Sequence, residues 1–493
     1  MDVILFYPSP SRGLYGYRRH HLPMGLICVA SPLDSLGYHV KIIDQYADPH
    51  WKKKLFEALA DKPLCFGITS MTGPQIIHGL DACKLVKERN PDLPIVWGGI
   101  HATLLPEQTL ENPYIDFVVV GEGENTFLEL VKALENKGPF DQVLGIGYRL
   151  DGKYHFTGHR PFVDLDDQPS PAYHLVDMNR YTESLLGIDH MLVHSSRGCN
   201  LDCAFCWDPV MHKRKFRSMD PDKVLDNIRR IVTDYGIRGL IFSDDNFFVD
   251  MNWAHNVLER LAKAGLNICI GKLHIRADTL CKTDSDFLNL MVKAGVRRLV
   301  MGAESGSQRI LDLIKKRITP DQVIEANRKL IPYPIKPAYL FMMGLPTETP
   351  EEFAESISLA ERLTGENPEA TRSFNIYTPY PGTELFGVLL KYGLKVPQRL
   401  QDWAGFNYRY LPKETPWIPD ETKRLISVLD FALMCGEHDN ALGSFKKADP
   451  IAVWLSRVYS PLAKYRVKNL DVRFPIELKI IKTLRFLMGR GQS

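Results

Sequence analysis

Residues 3–7 form an unbroken apolar run closed by Pro8, Pro10 and Gly13, the pattern of a buried strand running into a loop. Pro23-Met24-Gly25-Leu26 opens an apolar helix that stops near Gly37, and residues 40–44 make a second strand. Further apolar strands are expected at 64–69, 95–97 and 117–120, with helical stretches around 75–89 and 125–136 between them. Strand–helix alternation over 1–140 predicts a doubly wound parallel sheet. Residues 141–190 change character and read as a linker. They hold a hairpin around Asp151-Gly152 and the acidic, proline-bearing run Asp164-Leu165-Asp166-Asp167-Gln168-Pro169-Ser170-Pro171. From 191 to 400 the alternation resumes. Strands are expected at 191–195, 239–243, 268–273, 298–302, 336–341 and 373–377. Helices fill the gaps at 220–235, 252–264, 284–294, 319–330 and 350–363, with Pro221 and Pro350 in first-turn positions. After about 400 the rhythm stops. Residues 401–493 read as a mostly helical region, with Trp403, Phe406, Tyr408 and Tyr410 as an aromatic cover and a helix over 421–437.

Composition adds bounds. A chain of 493 residues suggests two to four domains, and 45% hydrophobic residues suffice for large cores. A net charge of +2 gives no case for bulk nucleic-acid binding. No apolar run reaches the roughly 18 residues of a membrane span. The start, Met1-Asp2-Val3-Ile4-Leu5-Phe6, lacks a basic leader, so no signal peptide is expected. Nine cysteines, three of them clustered, fit a reducing cytoplasm and a metal site. The last 43 residues carry nine Lys or Arg, including Lys479, Lys482 and Arg485 on one helical face, against Asp471 and Glu477. Such a basic amphipathic helix either lies on an anionic membrane as a peripheral contact or packs on its own protein.

The chemistry concentrates in Ser196-Arg197-Gly198-Cys199-Asn200-Leu201-Asp202-Cys203-Ala204-Phe205-Cys206-Trp207. Three thiolates in a C-x3-C-x2-C spacing hold one face of a soft metal centre, and three ligands leave a four-coordinate site one short. His194 and His212 flank the motif and offer a zinc alternative. In the front half, the strand-end loops are Thr69-Ser70-Met71-Thr72-Gly73, Gly98-Gly99-Ile100-His101-Ala102-Thr103 and Gly121-Glu122-Gly123-Glu124. Ligands of doubly wound sheets sit beyond the strand carboxyl ends, so these glycines and hydroxyls are candidate contacts. A generic sheet with glycine-rich turns is the plainer reading of that half alone. The polar, aromatic segment from Arg12 to His21 either lines a cavity or is a solvated loop.

The cysteine spacing, with Phe205 in the aromatic place before Cys206, resembles the radical S-adenosylmethionine superfamily. The resemblance implies a [4Fe–4S] cluster on Cys199, Cys203 and Cys206, S-adenosylmethionine on its open iron, and a 5′-deoxyadenosyl radical. Together with the Gly-Gly-x-His-Ala-Thr loop and the Gly-Glu-Gly-Glu turn, the chain resembles the cobalamin-dependent members over about its first 400 residues. Within them it is similar to the branch of the anaerobic Mg-protoporphyrin monomethyl ester cyclase and the hopanoid and bacteriochlorophyll methylases. The resemblance implies cobalamin against the front sheet, near Thr69, Ser70, Thr72, Gly98, Gly99, His101, Thr103, Gly121 and Glu122. It also implies a partial (β/α)6 barrel whose strand ends contact S-adenosylmethionine. Asp244 stands near the amino group, Arg276 at the carboxylate, Glu304 at the ribose or amino group and Gly344 on the adenine side. The Asp-x-His-x-x-Gly motif that ligates cobalt in other cobalamin proteins is absent, and His101 is expected as a loop or tail contact. The basic turn Met211 to Arg217 reads as a solvated turn or as a clamp for an anionic substrate group.

The implied activity is methylation of an unactivated carbon in a small-molecule substrate, with the tail and aromatic cover leaning to a lipid or tetrapyrrole. An electron donor such as flavodoxin or ferredoxin is implied, and no nucleic acid. Ring closure without methyl transfer is the alternative within enzymes. A methylthiotransferase is disfavoured because Cys28, Cys65 and Cys83 lack ligand spacing. From another class, the front half could be a cobalamin-binding redox sensor.

Overall fold

The structure, a computed structural model, describes residues 1–10, 22–406, 415–436 and 450–477. The Arg12–His21 segment, Tyr408, Tyr410 and the basic positions Lys479, Lys482, Arg485 and Arg490 lie outside the described residues.

Seven strands build the first sheet: β1 (Val3–Tyr7), β2 (Val40–Asp44), β3 (Cys65–Thr69), β4 (Ile95–Gly98), β5 (Phe117–Val119), β6 (Ile146–Leu150) and β7 (Lys153–Phe156). Their order is β2-β1-β3-β4-β5-β6-β7, parallel through β5. Alternation along β1 places its residues in two layers. Val3 and Leu5 enter the core that holds Leu26, Ala30, Phe127 and Val131, from the helices Met24–Ser35 and Glu124–Glu135. Ile4 and Phe6 enter the opposite core, which holds Leu55, Ile76 and Trp97. The hairpin expected inside the linker instead extends this sheet, because Val119 pairs with Ile146 and Phe117 with Tyr148 in antiparallel register. The acidic run beyond it is bound rather than loose. Lys223 Nζ donates to the carbonyls of Leu165, Asp166 and Gln168 at 2.9, 2.7 and 2.6 Å.

The second sheet contains β8 (Glu183–Leu185), β9 (Ile188–Val193), β12 (Gly239–Phe242), β13 (Cys269–His274), β14 (Arg298–Glu304), β15 (Lys336–Met343) and β16 (Thr371–Ile376). Between β9 and β12 the chain makes a short antiparallel pair, β10 (Ser196–Arg197) with β11 (Arg217–Ser218). β9, β12, β13, β14, β15 and β16 are parallel neighbours in that order, which is the expected partial (β/α)6 barrel. Its helices start where their caps dictate. Thr319 and Thr349 form capping boxes with Gln322 and Glu352, ahead of Pro320 and Pro350. Asp220, Asp250 and Asp284 cap three others. Two strands carry register shifts. Leu240 pairs with Ile270 but Ile241 with Lys272, leaving Gly271 extra, and a second shift precedes Glu304, which has φ +63°.

Past the barrel, Trp403 is fully buried, and its indole Nε1 donates to Gln108 Oε1 of the first domain at 2.6 Å. Its ring packs on Phe386, Phe406 and His101. Among the described residues, no helix is long and apolar enough to cross a membrane. Replacing a fully buried tryptophan that bridges two domains removes both packing and a hydrogen bond. Trp403→Ala is therefore expected to lower unfolding stability by about 3–5 kcal/mol in anaerobic denaturant titration.

Candidate active site

The loops at the carboxyl ends of the two sheets face one another across a cavity of ≈360 Å³. The volume lies in the usual range for small-molecule clefts. From the first domain it is lined by Thr69, Gly98, Gly99, Gly121 and Glu122, with Gly25 on the first helix. From the barrel side come His194, Arg197, Trp207, Met211, Ser243 and Asp245. A Cβ at Gly25 or Gly121 would meet nothing within 4 Å, so both backbones border open space. Gly99, at φ +91°, presses its backbone to within 2.9 Å of Ser70 N measured from a notional Cβ, and a side chain there would displace the β3 loop.

The other front-loop candidates build this cradle from behind. Ser70 Oγ accepts from Trp97 Nε1 at 2.8 Å. Thr103 Oγ1 donates to the Gly99 carbonyl at 2.9 Å and accepts from Gly121 N at 3.0 Å, tying two glycine loops together. Thr72 Oγ1 and His101 Nδ1 are 3.0 Å apart. His101 is fully buried beside Trp403 rather than on the cavity wall. Its other ring nitrogen has no partner, and burial pushes its pKa down to about 4, so it is a neutral imidazole.

The cysteine loop is fixed by backbone bonds. Ala204 N donates to Ile314 O at 2.9 Å, and Leu385 N donates to Ala204 O at 2.8 Å. Cys199 N donates to Asp208 Oδ2 at 2.9 Å, and Gly198 N to Asp245 Oδ2 at 3.0 Å. Gly198 is at φ +82°, and a side chain on it would overlap the Lys215 carbonyl. Cys199, Cys203 and Cys206 are free, partly exposed thiols. Burial raises the pKa of Cys203, while Lys316 and Arg276 oppose that by favouring the thiolate. Three thiols in this spacing, with Lys316 and Arg276 near Cys203, suit a soft cluster that leaves one position for another ligand. The zinc alternative loses its extra ligands. His194 Nε2 lies 4.0 Å from Cys28 Sγ, and His212 Nδ1 lies 3.3 Å from Arg217.

Around this loop, Asp244 Oδ1 accepts from Ser195 Oγ at 2.8 Å and from Ser196 Oγ, while its Oδ2 is buried without a partner. Burial raises Asp244 to about 6, against the lowering effect of the two serines. Glu304 pairs with Lys316 at 2.7 Å, and Lys316 Nζ lies 5.9 Å from the Phe205 ring centre. Arg276 is held by Asp278 at 2.9 Å and by the Lys316 carbonyl at 2.9 Å. Gly344, at φ +80°, donates to Glu348 Oε2 at 2.7 Å and accepts from Trp417 Nε1 at 3.1 Å. The basic turn is no open clamp at Arg217, which is bound to Glu122 at 2.7 Å.

Several contributors escaped the sequence reading. Arg197, directly ahead of Gly198-Cys199, pairs with Glu122 at 3.2 Å and Glu124 at 2.6 Å, joining the cysteine loop to the Gly-Glu-Gly-Glu turn. The residues sat inside quoted motifs, but nothing in the sequence said that the two turns meet. Lys316 and Glu348 carried no local signal beyond their charge.

Comparison with known proteins follows the same division. Residues 17–131 match the B12 binding domain, and residues 193–360 match the Radical SAM superfamily. The chain is 32% identical over 367 residues to an uncharacterized methyltransferase of Pyrococcus horikoshii, covering 74% of this chain and 77% of that protein. It belongs to the cobalamin-dependent radical S-adenosylmethionine enzymes. Among other relatives of this enzyme, the cytidylyl-2-hydroxyethylphosphonate methyltransferase of Streptomyces wedmorensis is 28% identical over 80% of this chain and 83% of its own. The anaerobic magnesium-protoporphyrin IX monomethyl ester cyclase of Rubrivivax gelatinosus is 29% identical over 78% and 69%. The solved structure of the cobalamin-dependent S-adenosylmethionine radical enzyme OxsB, with aqua-cobalamin and S-adenosylmethionine bound, superposes with a TM-score of 0.69. The match covers 98% of this chain and 75% of that one at 18% identity, which speaks to the fold.

Two outcomes test this geometry. Gly25→Leu fills the cavity and is expected to weaken cobalamin retention at least about tenfold, read from the visible spectrum, with iron content kept. Glu348 is the second. Burial raises its pKa to about 8, so its folded form holds a proton that the unfolded chain releases near 4.5. Its contribution to stability is complete below the unfolded value and is lost as pH rises through about 8. Glu348→Gln is expected to flatten that decline, in unfolding midpoints compared with wild type between pH 5 and 8.

Proposed function

We propose that this enzyme transfers a methyl group to an unactivated carbon of a small-molecule substrate, at the cavity shared by its two domains. The observation that carries the reading is that the cysteine loop residues Arg197, Trp207 and Met211 line the same space as Gly98, Gly99 and Gly121 of the front domain. Bound there, cluster, S-adenosylmethionine and cobalamin supply a hydrogen-abstracting radical and a transferable methyl group.

The chain's own residues do the positioning. Cys199, Cys203 and Cys206 would hold the cluster from a loop pinned by Ile314 and Asp208. Asp244, buried beneath the loop, fixes it by accepting from Ser195 and Ser196. The Glu304–Lys316 pair and Arg276 set polar contacts at the barrel rim, and Glu348 with Trp417 fixes the Gly344 turn. Trp403 and Phe406 close the junction against water. In net terms, one S-adenosylmethionine is converted to S-adenosylhomocysteine as the methyl source. A second takes an electron and leaves as methionine and 5′-deoxyadenosine, carrying one substrate hydrogen. An external one-electron donor of the flavodoxin or ferredoxin kind supplies the electrons.

Exposed Val458, Tyr465 and Phe474 at the end of the described chain, with the basic composition that follows, support a lipid or tetrapyrrole substrate met at an anionic membrane surface on the cytoplasmic side. Anaerobic reconstitution with cobalamin, followed by mass comparison of cell lipids and pigments with and without the protein, is expected to show a gain of one CH2. Loss of hydrogen without that gain would mean ring closure instead. Cys203→Ala is expected to abolish iron binding and 5′-deoxyadenosine formation; persistence of either would remove the cluster assignment.

A further inference from the structure

Among the described residues, the barrel interior carries cations that no carboxylate pairs with. The register of the six parallel strands separates two faces. Leu240, Leu273, Leu299 and Tyr339 point to the helix layer, where Tyr339 OH donates to Asn327 at 3.0 Å. The opposite face is the lumen. There Ile241 pairs with Lys272, His274 with Val300, Val300 with Ala338 and Ala338 with Thr371. One pair deeper than His274–Val300, the same register sets Lys272 beside Arg298.

Both residues are partly buried. Arg298 Nη2 donates to Thr371 Oγ1 at 3.1 Å. Among the described residues no carboxylate pairs with Lys272, His274 or Arg298. On the neighbouring strands, Glu369 is paired with Lys336 and Glu361 with Arg372. Burial lowers the pKa of Lys272, with Arg298 adding to it, and burial alone lowers that of Arg298; no acid offsets either shift. Burial holds His274 neutral, at about 3. Desolvated cations are ordinarily paired, because leaving one alone costs several kcal/mol.

Lys272 lies four residues before Arg276, about 13 Å deeper at roughly 3.3 Å per residue. On the edge strand β16, Ser373 is exposed and aligned with Leu340 and Gly302 of the lumen face.

We propose that the barrel lumen binds an anionic group of the substrate, a carboxylate or a phosphorus oxyanion, on Lys272 and Arg298, with His274 as a neutral polar contact. The site deepens the function proposed above and rests on it. It gives the substrate two ends: a carbon at the cavity mouth and an anion deep in the barrel.

Anion binding is measured without turnover, on the full chain with its cluster, by thermal unfolding in acetate, inorganic phosphate or methylphosphonate against chloride at matched ionic strength. At least one of the three is expected to raise the midpoint of wild type, and which one does distinguishes carboxylate from phosphorus oxyanion. Lys272→Met is expected to abolish the shift, Lys272→Arg to keep it, and Arg298→Met to weaken it at least tenfold in anion concentration. Without anion, Lys272→Met is expected to melt at or above wild type, since it removes a partly buried charge that no carboxylate among the described residues pairs with. The site is overturned if no anion shifts wild type, or if Lys272→Met responds as wild type does. It is also overturned if Lys272→Met melts lower without anion, which would make the lysine a structural prop. Should that variant not fold, the wild-type response and Arg298→Met decide. Formation of 5′-deoxyadenosine by the unaltered enzyme is scored separately. Its absence would remove the radical reading and leave anion binding intact, and the reverse result would remove only the anion site.

Discussion

A buried charge network holds the molecule's two halves in register. Arg197 reaches from the cysteine loop to Glu122 and Glu124, and Arg217 of β11 binds the same Glu122. All four side chains are largely buried, so each depends on the others for solvation that water no longer gives. Burial works against the Glu122 carboxylate, but Arg217 and Arg197 outweigh it and hold its pKa below the usual range. The network begins two residues before Cys199 and ends on the glycine turn of the front sheet. Cavity shape, cluster loop and front-domain cradle therefore share one set of bonds, and a shift in any of them is felt by the rest.

The same coupling explains which parts of the molecule were legible in the sequence. Strands and helices were, because their apolar periods are local: residues 3–7, 40–44 and the capped helices of the barrel fall where the pattern placed them. The cysteine motif was legible because its spacing is local to one loop. The front-loop candidates divided by depth. Gly98, Gly99, Gly121 and Thr69 line the cavity, whereas Ser70, Thr72, His101 and Thr103 brace it. Sequence marks a strand end but not which side chain of the turn looks outward. His101 shows the limit well. Its burial comes from Trp403, some three hundred residues away, and no local pattern encodes that contact.

The sheet partner of the hairpin at Asp151-Gly152 and the partners of Arg197 were hidden for a related reason. A hairpin reads the same whether it stands alone or adds to a sheet edge. Here Ile146 pairing with Val119 decides it. Long-range pairing also turned one residue of the basic turn inward, since Arg217 finds Glu122, while Lys213, Arg214 and Lys215 stay exposed as a solvated turn. The acidic connector was bound by Lys223 through three backbone carbonyls, a contact that depends on geometry rather than on its own charge.

The extra residue in β13 has a larger effect than its size suggests. Gly271 accommodates the His190 ring, which leaves no room for a side chain there, and the next residue, Lys272, then faces the same side. Were the strand paired straight through, with Gly271 opposite Ile241, the amine of Lys272 would enter the apolar layer beneath the helices and Leu273 would enter the lumen. The irregularity acts as a phase switch in the alternation of side chains. It makes the barrel's electrostatic character a property of backbone count as much as of composition. A barrel of this kind can exchange a charged lining for an apolar one by gaining or losing a single bulge, with every lining residue unchanged in the sequence.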